Sequence, residues 1–187
     1  MSVLGDGGGD DLGWLYDTFY AGFFTGLGDW LEQRRLSQAP FTRHNWSRTR
    51  HQALAALPIG FLYHLWYQWL DAALAGWDWG TILVKVLLDI GLAASCFWTI
   101  YFAVLTFLLE RKGWAVFCER AFFKGIKLWL MEWIVWPPIQ ALNFYFLSTQ
   151  HRVLADMFVQ LIFDVYSSYL LYDAPPVYTA LNGVTTY

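Results

Sequence analysis

The sequence predicts an all-α integral membrane bundle: four transmembrane helices, one Pro-broken re-entrant or interfacial helix, and a surface amphipathic helix. Three observations carry this prediction. Of 187 residues, 57% are hydrophobic and only 14% are Asp, Glu, Lys or Arg. An ordinary globular domain carries about 25% charged residues, so the chain has too few charges to cover a water-facing surface. Apolar stretches of roughly 20 residues, the length of one bilayer crossing, recur along the chain. Within them, polar and small residues fall three or four apart, the spacing of one helix face.

The elements follow in order. Residues 1–13 (MSVLGDGGGDDLG) are acidic and Gly-rich with no Lys or Arg. They match neither a secretory signal nor a transit peptide, and their composition predicts a disordered leader. A single membrane domain covers 14–172, and a C-terminal extension covers 173–187. Spans are expected over about 14–31, 52–75, 81–109 and 153–172. Residues 128–147 (LWLMEWIVWPPIQALNFYFL) are apolar but contain Pro137-Pro138, and two successive prolines predict a kink or break. Residues 113–127 mix apolar and basic positions and are expected along the membrane surface. Trp77, Trp79, Trp129 and Trp133 suit an interfacial belt.

Charge placement sets the expected topology. Arg34, Arg35, Arg43, Arg48 and Arg50 lie between the first two spans, and Arg111, Lys112, Arg120, Lys124 and Lys127 follow the third. If the Pro-Pro segment does not cross, Arg152 joins them, leaving Lys85 as the only one of the twelve basic residues elsewhere. By the positive-inside rule that side is the matrix or cytosol. Both termini then share the far side with Asp6, Asp10, Asp11 and Asp173. A net charge of −3 without a basic run excludes nucleic acid as the expected partner. Cys96 and Cys118 form neither a disulfide scaffold nor a CxxC motif.

The polar positions form stripes. They comprise Gly22, Gly26, Asp29 and Gln33; Gly60, His64, Tyr67 and Asp71; Lys85, Asp89 and Cys96; Glu132, Trp136, Gln140 and Asn143; and Asp156, Gln160, Asp164 and Ser167. A charge facing lipid costs about 2.5–3.5 kcal/mol at a helix centre, so the stripes must turn inward. Two readings stay open. Gly22 and Gly26 form a GxxxG packing face while the polar groups satisfy one another as glue, with Lys85 able to pair with Asp89 at i,i+4. Alternatively, Asp29, His64, Asp71, Lys85, Asp89 and Asp164 line a path whose surplus of acids favours cations. Cys96, on the face of Asp89, is read as inert packing. No His set has metal-ligand spacing, and no nucleophile, phosphate-loop or dinucleotide motif occurs, so neither enzymatic activity, metal nor cofactor is expected.

Trp136-Pro137, Gln140, Asn143-Phe144 and Arg152 (WPPIQALNFYFLSTQHR) resemble the signature of the Mpv-seventeen family, which includes the twenty-two-kilodalton peroxisomal membrane protein. Gly22 to Gln33 (GFFTGLGDWLEQ) is similar to the family's first helix, Gly60, His64, Trp66-Tyr67 and Leu70 resemble its second, and Lys85 to Asp89 (KVLLD) resembles the start of its third. The resemblance implies a small four-span protein, usually of the mitochondrial inner membrane and less often of peroxisomes. It also implies links to nonselective channel behaviour and to mitochondrial DNA and metabolite homeostasis, without enzymatic activity. The chain departs from the family pattern at Phe61 (proline), Ile90 (glutamine), Leu147-Ser148 (Val-Pro) and Phe163-Asp164 (Trp-Asn), positions expected to shape a path.

The departures lead to the expectation of a non-enzymatic accessory subunit of a large inner-membrane complex, respiratory-chain complexes first. Its partners would be the lipid bilayer and other membrane-protein subunits that hold both termini. The alternative is an independent pore, weakly cation-preferring or nonselective.

Overall fold

The computed structural model describes residues 12–36, 44–76 and 78–173. Residues 1–11 of the predicted leader (residues 1–13), Arg43, Trp77, the Asp173 side chain and the extension beyond it lie outside the described residues, while Leu12 and Gly13, the leader's last two, already belong to the first helical turn. The described chain forms five long helices and no strand. Helix α1 is Gly13–Leu36 and α2 is Trp46–Ala73. Helix α3 is Trp79–Leu109, in which the turns Asp89–Ala94 and Val104–Leu109 are π-wide. Helix α4 covers 114–146 through the consecutive stretches Trp114–Cys118, Glu119–Lys124 and Gly125–Phe146. Helix α5 covers 149–173 as Thr149–Ser168 and the π-wide Tyr169–Asp173.

Local chemistry starts these helices where the sequence allows. Asn45 accepts a hydrogen bond from the Arg48 backbone N–H at 3.1 Å and so caps α2. Asp78 does the same for Thr81 at 2.9 Å ahead of α3. Its two oxygens also hold the Thr81 hydroxyl and backbone, which keeps the Asp78 carboxyl below its ordinary pKa. Helix α3 ends in a turn where Arg111 takes φ 55°, a left-handed conformation uncommon for a residue with a side chain.

Small residues set the closest helix pair. Helices α1 and α2 run antiparallel, with Asp17 beside His64 at one end and Asp29 beside Arg48 at the other. Gly22 faces Leu57 and the Ala53 carbonyl, and Gly26 faces the Ala53 side chain. Gly60 lies against the backbone of Asp17 and Thr18, so a methyl group there would collide with atoms that cannot swing away. Helices α1 and α5 run parallel, through Phe24 on Phe158, Thr25 on Asp164 and Asp29 on Ser168.

The Pro-Pro segment departs from expectation. Pro137 and Pro138 lie inside α4 and do not break it. Proline's fixed φ suits a helix, and its cost is the lost donor to the carbonyl four residues back, here those of Trp133 and Ile134. Contacts along the whole of α3 carry the helix through. Trp79 stacks on Tyr145 at 5.3 Å, Gly91 meets Trp133, and Arg120 donates to Thr106 at 3.0 Å. Residues 113–127 are corrected likewise, because they are the first turns of α4 and not a separate surface helix. Arg120 and Lys124 turn into the bundle, where Arg120 pairs with Glu110 at 2.8 Å and Lys124 donates to the Leu171 carbonyl at 3.0 Å. Phe122, Phe123 and Ile126 face outward.

The topology changes in two ways. Because α4 runs the length of α3, a fourth connection brings Arg152 to the end of the bundle opposite Arg48 and Arg120. Because α1 and α5 are parallel, the described chain starts and finishes at opposite ends, in place of the single shared side expected. Helix α3 and residues Thr149–Tyr172 are long and apolar enough to cross a membrane by length and composition.

The bundle is apolar outside and polar within. Phe19, Phe23, Leu83, Leu108, Ile134 and Ile162 are exposed, while Asp29, Asp89, Glu132, Gln140, Asp156 and Asp164 are buried.

Replacing Gly60 by Ala should force α1 and α2 apart and cost about 1–3 kcal/mol. Gly113→Ala, with nothing within 4 Å of the added carbon, should leave stability unchanged. Thermal unfolding of the two variants in detergent checks the contrast.

Candidate functional site

All five helices surround a central cavity of about 70 Å³, room for a few waters. Four carboxyl groups line it: Asp89 from α3, Glu132 from α4, and Asp156 and Asp164 from α5. Each is held by neutral donors. The Trp66 indole donates to Asp89 at 2.8 Å, and the Trp98 indole to Glu132. The Tyr67 hydroxyl donates to Asp156 at 2.5 Å, joined by the amides of Gln140 at 3.2 Å and Asn143. The Thr25 hydroxyl and the Gln160 amide donate to Asp164, both at 3.3 Å. Two acceptors are left over: Glu132 Oε2 and Gln140 Oε1 are buried without a hydrogen bond.

The basic groups sit at the two ends. At one end, Asp71 of α2 receives Lys85 at 2.7 Å and Arg152 at 2.6 Å, together with the Thr149 hydroxyl. Arg152 also donates to the Leu147 carbonyl at 3.1 Å, and its guanidinium lies 4.9 Å from the Phe144 ring centre. At the other end, Asp29 receives Arg48 at 2.7 Å, Gln52 at 2.8 Å and the Ser168 hydroxyl at 2.7 Å. Gln52 accepts from Tyr101 at 2.9 Å, linking that cluster to the cavity wall. Beyond it, Glu110 gathers Lys112 and Arg120, both at 2.8 Å, and the Tyr172 hydroxyl. Burial raises the Glu110 pKa, but the bonds from Lys112 and Tyr172 and the Arg120 charge outweigh it, so this carboxyl titrates below its usual range.

The signature residues therefore serve both the cavity and one end cluster. Gln140 and Asn143 hold Asp156, Phe144 supports Arg152, and Arg152 holds Asp71. Trp136 lines the cavity and stacks on Phe163 at 5.7 Å, with Pro137 next to it in the same helix. Of the six residues predicted to line a path, Asp89 and Asp164 line this cavity, while Asp29, Asp71 and Lys85 form the end clusters. Lys85 pairs with Asp71 across helices and not with Asp89. His64 lies at the α1–α2 contact, 2.7 Å from Asp17 and 2.8 Å from Gln68, away from the cavity. Gly22 and Gly26 belong to the same contact.

Glu132 and Asp156 fall on the predicted stripes yet outside the set expected to line a path. The extra signal was the stripe itself, with Trp136 one turn and Gln140 two turns from Glu132 and Gln160 one turn from Asp156, although the donors to these acids come from other helices. Cys96 is exposed and does not share the face of Asp89. The π-wide turn at Asp89–Ala94 inserts a residue, rotating the remainder of α3 by about 100°. That rotation brings Phe97, Trp98 and Tyr101 to the cavity instead. Among the described residues, no three His, Cys, Asp or Glu converge to hold a metal ion.

The description "Mpv17 / PMP22 family" belongs to the family model that matches residues 107–168, from the end of α3 through α4 to most of α5. The chain belongs to the Mpv17 / PMP22 family. It is 27% identical to the zebrafish (Danio rerio) mitochondrial inner membrane protein Mpv17, over 86% of this chain and 89% of that one. It is 28% identical to the human (Homo sapiens) Mpv17, over 86% and 90%. A bovine (Bos taurus) Mpv17-like protein is 33% identical over 71% of this chain and 64% of its own length. No solved structure matches the chain.

Arg152→Met should destabilise the bundle toward the lower end of the roughly 3–5 kcal/mol for breaking a buried pair, since Asp71 keeps Lys85. Arg152→Lys should recover part of this, because it restores charge without the planar fork; thermal unfolding reads both. Glu110 contributes stability that is fully present above the ordinary glutamate range and is lost as pH falls through that range to its lowered value. Acid titration followed by proteolysis of the α5 end should show loosening in the wild type that Glu110→Gln already shows at neutral pH.

Proposed function

We propose that this chain is a non-enzymatic multi-pass protein of the mitochondrial inner membrane whose bundle holds a closed path for small cations. The observation that carries the reading is the central cavity: four carboxyls, no basic lining residue, and ion-pair clusters at both ends. Exposed apolar side chains on all sides suit hydrocarbon. The curated relatives named as mitochondrial inner membrane proteins support that membrane over the peroxisomal one. Acid rings without neighbouring bases favour cations, and the end clusters act as gates, each breakable by separating two helices.

The departures from the family pattern no longer favour an accessory subunit of a respiratory-chain complex over a path. Phe61 is 40% exposed on the outer surface, and Leu147-Ser148 form the short turn between α4 and α5. Ile90 and Asp164 line the cavity without filling it, and Asp164, in place of the family's asparagine, adds a carboxyl to it. Were all five helices to cross, in place of the four spans expected, the two ends of the described chain would face different compartments.

Planar-bilayer recordings of the purified protein test this reading. Cations should carry the current in preference to anions, and the preference should fall several-fold in the Asp89→Asn/Asp164→Asn variant. A protein that never conducts, or a preference untouched by both substitutions, would remove the reading.

A further inference from the structure

We propose that the central cavity is a binding site for a compact primary alkylammonium ion of about three heavy atoms, ethylammonium in size. This deepens the cation-path reading and rests on it for the way in, but binding itself requires no current.

Four properties of the cavity select this chemistry. First, its lining is acidic: Asp89, Glu132, Asp156 and Asp164 face one space, and no Lys, Arg or His lines it. Second, it demands hydrogen-bond donors. Glu132 and Gln140 are each only 3% exposed, yet Glu132 Oε2 and Gln140 Oε1 accept nothing, and a buried acceptor without a donor is costly. Their other atoms are committed, Glu132 Oε1 to the Trp98 indole and Gln140 Nε2 to Tyr67 at 3.0 Å and Asp156 at 3.2 Å. A primary ammonium carries three N–H donors and can serve either acceptor.

Third, the walls are aromatic. Tyr63, Tyr67, Phe97, Trp98, Tyr101 and Trp136 line the same space, and aromatic rings attract organic cations while sheltering the attached carbons. Fourth, the volume is small. At about 70 Å³ it is roughly half the 150 Å³ of a cavity that admits benzene, which leaves room for an ethylammonium and excludes bulkier ions. A bare metal cation is a poor fit, since among the described residues no three acids converge on one point. Tetramethylammonium is a poor fit for the opposite reason, because it donates no hydrogen bond to the waiting oxygens.

The test uses the full chain purified in detergent micelles. Intrinsic tryptophan fluorescence, with Trp98 and Trp136 in the cavity wall, is titrated with ethylammonium chloride, sodium chloride and tetramethylammonium chloride at constant ionic strength. Ethylammonium should give a saturable change that the other two do not. Glu132→Gln should weaken it by about tenfold, the loss of one charge-assisted hydrogen bond. Ala94→Leu keeps every carboxyl but fills the space from α3, and should abolish the change. Circular dichroism establishes that each variant retains its helices before it is titrated. No saturable change with ethylammonium, an equal one with sodium or tetramethylammonium, or wild-type affinity in either folded variant would overturn the proposal. Conductance without ethylammonium binding would leave the path and remove this site. Binding without conductance would keep the site and remove the path.

Discussion

A carboxyl group cannot face hydrocarbon cheaply, and among those this chain carries along its helices are six: Asp29, Asp71, Asp89, Glu132, Asp156 and Asp164. At about 2.5–3.5 kcal/mol each, turning all six outward would exceed the stability of a typical domain. Every helix is therefore rotated by its acids. Once they point inward, Phe19, Leu83, Ile134 and Ile162 are left outside, which is why the bundle is polar at its centre and apolar on its surface. The rotation also dictates which neutral groups must sit nearby. Trp66, Trp98, Tyr67, Gln140 and Asn143 point their donors at acids on other helices, so each hydrogen bond both satisfies a carboxyl and fixes a helix pair.

Two devices reconcile that rotation with close packing. Small residues let α1 approach α2, where Gly22, Gly26 and Gly60 leave room for Ala53, Leu57 and the Asp17–Thr18 backbone. The π-wide turn at Asp89–Ala94 solves a different problem. A regular α3 that aimed Asp89 at the centre would aim Cys96 there as well and turn Trp98 aside. The inserted residue lets Asp89, Ile90, Ala94, Phe97, Trp98 and Tyr101 all reach one cavity. π-turns cost hydrogen-bond geometry and cluster at functional sites, and this one shapes the wall of the space with the highest density of acids.

What could be read from the sequence depended on whether the governing rule was local. The helical class, the inward stripes and the glycine face follow from composition and from spacing of three and four, so they were legible. The path of α4 was not. Pro137-Pro138 reads as a break because proline removes local donors, but contacts from Trp79–Tyr145 to Thr106–Arg120 hold that helix along all of α3. The same limit misassigned the partners of Lys85. Its neighbour in sequence is Asp89, but the antiparallel α2 delivers Asp71 at 2.7 Å, and Asp89 takes an indole instead. Asp156 and Glu132 were visible as stripe members, but their place in one cavity depends on how three helices meet.

The separation of ion pairs from acids without a base is the feature on which the proposed function rests. If polar groups served only as glue, the cheapest arrangement would match each acid with a base. The chain does this at both ends, where Arg152 and Lys85 share Asp71 and Arg48 meets Asp29. In the middle it supplies only indoles, phenols, amides and hydroxyls, which satisfy oxygen lone pairs without neutralising charge. The central acids thus have no base beside them, in a space that has room for more atoms. Glue explains the ends. A centre whose acids meet only neutral donors, walled by aromatic rings, is the feature on which the proposed cation path rests.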